Sequence, residues 1–142
     1  MVNPNGFLIA AALLSAIAAL LHIAILFFGP SWYRFFGAGT RMVRLAEAGS
    51  WYPTVITLGI TAMLSMWALY ALSAAGITPH LPFEKPVLSL ITSAYLLRGI
   101  AALPLLAWQR KAITPFWIWS SLICTGFGIV HLAGLCQQWT AL

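Results

Sequence analysis

The chain has 142 residues, 62% of them hydrophobic and only 6% charged, whereas soluble domains carry about 25% charged residues. Two acids and seven cations cannot clothe a water-facing surface, so a soluble globular fold is excluded and an integral membrane protein is expected. The net charge of +5 is scattered through apolar sequence rather than gathered into a phosphate-tracking patch, so nucleic acid is not an expected partner.

The opening MVNPNG has no basic run before the first apolar stretch, so a cleaved signal peptide is not expected. Apolar runs of spanning length follow at about residues 7–29, 54–77, 86–108 and 115–136. Breakers separate them: Gly29-Pro30, Pro53, the group Pro79, Pro82 and Pro86, and Pro115. Pro104 lies inside the third run and should kink it or end its regular part. Between the first two runs, residues 40–49 place Met42, Leu45, Ala46 and Gly49 on one helical face and Arg41, Arg44 and Glu47 on the other, with Thr40 placed to cap. The expected fold is all-α: one domain over 1–142, an antiparallel bundle of four transmembrane helices with a short amphipathic interfacial helix between the first two spans.

Loop charge sets the expected orientation. Residues 30–50 hold Arg34, Arg41, Arg44 and Glu47, and residues 109–114 hold Arg110 and Lys111; the opposite loop holds only Glu84 and Lys85. The positive-inside rule puts the first two segments in the cytoplasm and both termini outside, in a bacterial inner membrane.

Small and polar residues share a face on each span, as helix–helix contacts in membranes require. His22 falls with Ala11, Ser15, Ala18 and Ala19; Thr54, Thr57, Thr61, Ser65 and Ala68 form a second stripe. Arg98 falls with Ala94, Tyr95, Ala101 and Ala102; His131 falls with Ser120, Cys124, Phe127, Gly128 and Gly134. Leu20 and Ile100, on the far faces, should meet lipid. The two cysteines, Cys124 and Cys136, lie about 18 Å apart along one helix, too far for a disulfide. No metal-ligand spacing occurs, and no cofactor is indicated.

Arg98 is the only charge inside a span, and inserting an arginine there costs at least about 2.5–3.5 kcal/mol. A buried cation wants an anion. Glu47 is the only acid on its side, so Glu47 should be its internal partner, or else Arg98 awaits an anionic ligand. A local ion pair of Glu47 with Arg44 is the plainer alternative. The candidate site is Arg98, Glu47, His22, Thr57 and Thr61, open to the cytoplasm. His131, about 24 Å from that surface, would belong to a separate outer-side polar site. That mismatch in depth speaks against a bis-histidine haem. The pattern suits binding or transport of a small anionic or headgroup-like ligand, with membrane lipids as neighbours and a homodimer or larger complex as the assembly. Two other readings stand beside it: an accessory or assembly subunit of a larger membrane complex, and a membrane enzyme acting on a lipid-like substrate, for which no nucleophile with its base is evident.

Overall fold

The computed structural model describes residues 4–101, 103–104 and 114–142. Its elements are all helical: α1 (Gly6–Phe28), α2 (Pro30–Phe35), α3 (Thr40–Glu47), α4 (Trp51–Ala74), α5 (Glu84–Ile100) and α6 (Pro115–Gln138). Three of them, α1, α4 and α6, are long and apolar enough to cross a membrane. α5 has 17 residues. The third apolar run continues into residues outside the described ones, so its expected crossing is followed only in part. α5 stops at Ile100, four positions before Pro104, whose ring would crowd the Ile100 carbonyl and offers it no N–H.

Several helices start earlier than their prolines suggested. Pro53 stands third in α4 and Pro86 third in α5. First-turn N–H groups have no helical acceptor, so a proline there removes nothing. Pro30 likewise opens α2, a helix the apolar pattern did not announce. Thr40 does not cap α3; Gly39 does, at φ 90°, in the left-handed region that favours glycine.

The chain divides into two compact units, one formed by Met1–Ser15 with Trp67–Leu142 and the other by Ala16–Met66. In the second unit, Ile25, Tyr33 and Val43 form a small core packed by Trp32, Phe36 and Ala46. The Tyr33 hydroxyl lies 2.8 Å from Thr57 Oγ1 and 3.1 Å from the Pro53 carbonyl, which ties α2 to the first turns of α4. The polar face of α3 is as expected: Arg41, Arg44 and Glu47 are exposed. Its apolar face turns inward on Val43 as well as on Met42, Leu45 and Ala46.

In the first unit, α5 runs antiparallel along α6. Lys85 Nζ sits 4.7 Å from the Trp139 ring at one end, and Arg98 meets Ser120 and Ser121 at the other. Glycine allows the close approach. A Cβ on Gly99 would fall 2.2 Å from Thr125 Oγ1 and 2.8 Å from the Thr125 backbone nitrogen. Gly128 receives Leu96 of α5, and Gly134 receives Leu8 of α1. Asn5 joins three helix ends. Its Oδ1 accepts from the Leu8 N–H (2.9 Å), capping α1; its Nδ2 donates to Gln137 (2.9 Å); its backbone N–H donates to the Ala75 carbonyl (3.2 Å).

The sidedness of the helices follows the expected stripes in most places. Ala11, Ser15 and Ala19 are buried, while Leu13, Ile17 and Leu20 are exposed. Thr57, Thr61 and Ala68 are buried, but Thr54 and Ser65 are not; the buried line of α4 passes through Pro53 and Leu64 instead. Ile100 is exposed. Large apolar side chains left uncovered, such as Phe27 at 84% and Leu90 at 69%, are what a hydrocarbon solvent tolerates and water does not.

Candidate functional site

The clearest polar constellation is built around Arg98. It stands in the last turn of α5, where a cation faces the carbonyl end of the helix. Its partners come from the start of α6. Thr114 has extended backbone, and its side chain accepts from the Trp117 N–H; Pro115 occupies the first helical position. This start places Trp117, Ser120 and Ser121 within the first two turns. Arg98 Nη2 donates to Ser120 Oγ (2.9 Å), Nη1 donates to Ser121 Oγ (3.1 Å), and the guanidinium carbon lies 4.5 Å from the Trp117 ring centroid. Ser120 gives its own proton to the Trp117 carbonyl at 3.2 Å. Ser121 is buried. The absence of a side chain at Gly99, against Thr125, is what brings the α5 terminus close enough for these bonds.

These contacts occupy two of the five N–H donors of Arg98 and do not neutralise its charge. Among the described residues, every partner is a neutral hydroxyl or an aromatic face. The only acid in this unit, Glu84, begins the same helix, fourteen residues or about 21 Å away. It is engaged there. The Ser73 hydroxyl contacts its carboxylate, the Leu81 N–H donates to it at 2.9 Å, and His80 Nδ1 lies 3.2 Å from Oε2. Burial alone would push this carboxyl up, yet the hydrogen bonds from Ser73, Leu81 and His80 outweigh it and hold the group below its ordinary value.

Glu47, the other acid, belongs to the second unit and is ion-paired with Arg34 of α2, not with Arg44 one turn earlier on its own helix. The remaining expected site residues of that unit each bond a carbonyl of their own helix, and Thr57 also meets the Tyr33 hydroxyl of α2. His22 Nδ1 lies 2.7 Å from the Ala18 carbonyl, Thr57 Oγ1 donates to the Pro53 carbonyl (2.8 Å), and Thr61 Oγ1 donates to the Thr57 carbonyl (2.9 Å). Arg98 and His131 lie in the other unit.

His131 is fully buried, with Nδ1 2.9 Å from the Phe127 carbonyl and Nε2 without a partner. The Tyr95 ring lies 5.0 Å away, and the Tyr95 hydroxyl meets Ser15 Oγ at 3.0 Å. Both cysteines are free thiols. Among the described residues no group of three His, Cys, Asp or Glu side chains could hold a metal ion.

Ser121 and Trp117 were the partners that sequence reasoning missed. The signal was present as WIWSS, residues 117–121, just inside the fourth apolar run. Neutral hydroxyls carry no charge complementary to an arginine, so nothing in the pattern marks them as its partners. Ser120 and Ser121 lie five and six residues after Pro115, about 8–9 Å along α6, so Arg98 sits one to two turns from the start of that helix.

No family model, curated protein or solved structure matches this chain.

Proposed function

We propose that this is an integral membrane protein of four crossings, with α5 as the third, that binds a small anionic or headgroup-like ligand at Arg98. The observation that carries the reading is a guanidinium held by two serine hydroxyls and an indole, with no carboxylate paired to it among the described residues. Among the described residues the Ser121 hydroxyl, which accepts from Arg98, has no acceptor for its own proton. A site one to two turns from a helix start lies near headgroup depth, where the long arginine side chain reaches the interface. In this reading residues 30–50 and 109–114 face the cytoplasm of a bacterial cell and both termini face out. α5 lies along α6 from Lys85 to Arg98, which suits a crossing.

The test is thermal unfolding of the detergent-solubilised protein with a short-chain phosphatidic acid, a matched phosphatidylcholine and inorganic phosphate. A ligand that binds only the folded state raises Tm with its concentration. The anionic amphiphile should raise Tm, the choline lipid should not, and Arg98→Gln should abolish the rise. Phosphate acting as well as the lipid would identify a free anion as the ligand. An equal rise in Arg98→Gln would overturn the reading. A cysteine at position 38, in a Cys124→Ser/Cys136→Ser background, should resist impermeant thiol reagents in intact cells, whereas one at position 140 should react.

A second reading, an accessory subunit of a larger membrane complex, draws support from a different observation. His22, Thr57 and Thr61 bond carbonyls of their own helices, Thr57 also joins Tyr33 of α2, and glycines hold α5, α6 and α1 in close contact. Polar groups then specify packing, and function lies in contacts with a partner. Copurification of a stoichiometric membrane partner, with no ligand effect on Tm, would favour it.

A further inference from the structure

We infer that the exposed face of α3 is a binding surface for anionic phospholipid headgroups, separate from Arg98, with Glu47 drawn off to Arg34 and so leaving Arg41 and Arg44 uncompensated. The argument begins with charge. The segment from α2 through α3 holds three arginines and one acid. On α3 alone, Glu47 stands three positions after Arg44, a spacing that normally gives a local ion pair. The carboxylate instead reaches across to Arg34 on α2. The pair that forms joins two helices and consumes the charge of Arg34. Arg41 and Arg44 are left exposed, and among the described residues no carboxylate pairs with either. Three apart on one helix, they are surface neighbours about 5–6 Å apart at Cβ, close enough to share one phosphate-bearing lipid.

The surroundings fit a bilayer surface. α3 is amphipathic, with Val43 buried and Met42, Leu45 and Ala46 half-buried beneath it. Large aromatics of the same unit stand uncovered: Phe35 of α2 at 79% and Trp51 of α4 at 73%. The two helices that adjoin this segment in the chain, α1 and α4, are themselves long and apolar enough to span. A basic face between aromatics and spanning helices is what draws anionic lipid to the interface.

This inference rests on the membrane reading above and not on the Arg98 site. The experiment is electron spin resonance of the full chain reconstituted in phosphatidylcholine bilayers, comparing spin-labelled phosphatidylglycerol with spin-labelled phosphatidylcholine as protein-associated lipid. Failure to incorporate would sink the membrane reading itself. Given incorporation, phosphatidylglycerol should be preferred several-fold at low salt, and the preference should shrink as salt rises. Basic residues at an anionic surface each contribute ~1 kcal/mol, or about fivefold, so Arg41→Gln/Arg44→Gln should remove most of the preference. Arg41→Lys/Arg44→Lys should retain it, because both positions are exposed and charge alone is required. Glu47→Gln should not weaken it. An unchanged preference in the double glutamine variant, or none in the wild type, overturns the inference.

Discussion

Glu47 pairs with Arg34, an ion pair that joins α3 to α2 across the turn at Gly37 and Gly39 beside the small core of Tyr33 and Val43. Both side chains are well exposed, at 68% for Arg34 and 46% for Glu47. Exposed pairs of this kind are worth about 0.2–1 kcal/mol in double-mutant cycles. A cycle with Arg34→Gln and Glu47→Gln, read by thermal unfolding in detergent, should therefore give a small coupling. A buried pair would give about 3–5 kcal/mol. A coupling of that size would mean that Glu47 is sequestered, contrary to its exposure.

Glycines of α6 and α5 differ in what they can accept. Gly99→Ala would drive a methyl into the Thr125 side chain and backbone, which cannot both yield. The expected cost is about 1–3 kcal/mol, with Arg98 displaced from its serines. Gly126→Ala meets nothing within 4 Å and should be neutral or stabilising by up to about 1 kcal/mol, since alanine is the better helix former. Detergent melting of the two variants side by side checks the contrast. A harmless Gly99→Ala would mean that the α5–α6 approach is looser than described.

The turn before α5 predicts a specific acid sensitivity. Glu84 is held below its ordinary value of 4.5 by hydrogen bonds to its charged form, against the opposing effect of burial. A carboxyl with a depressed value in the fold adds stability above its unfolded value, and that stability is lost as pH falls through the lower folded value. Stability should therefore decline below about pH 4.5 in the wild type. Glu84→Gln should start lower and lack this component of the decline. Parallel pH-dependent melts of the two proteins measure it; identical slopes would rule out the network as its source.

Asn5 should matter beyond its small size. Asn5→Ala removes the α1 cap and the bond to Gln137, for a loss of about 0.5–2 kcal/mol from the cap alone. Asn5→Asp keeps the capping oxygen, and the Gln137 amide can turn to donate, so most of the loss should be recovered. Amide exchange at the first turn of α1 is the local readout. Equal protection in Asn5→Ala would show that the cap is dispensable.

What the sequence disclosed was decided by periodicity. Leu13, Ile17 and Leu20 on one side of α1, and Ala11, Ser15 and Ala19 on the other, divide as helical spacing says, because lipid and helix contacts select side chains by size. Helix starts at proline were misjudged, since a proline in the first turn is indistinguishable in composition from one that ends a helix. Partners of polar groups were the least legible. A back-bond from Thr61 to the Thr57 carbonyl is local, yet no pattern separates it from a hydroxyl turned to a ligand. Arg98 was recognised as costly, but its hydroxyl partners lie 22 and 23 residues away and become neighbours only once Gly99 lets two backbones meet.

The glycine seats of α6 also constrain how this unit can move. Leu96 rests on Gly128 and Leu8 on Gly134. A slide of α5 by one turn would carry Leu96 onto Cys124 or Leu132, side chains that fill the space the glycine leaves open. Piston-like travel of one helix past the other is thereby disfavoured. Any working stroke of this unit has to carry α5 and α6 together, with Arg98 and its serines travelling as one piece.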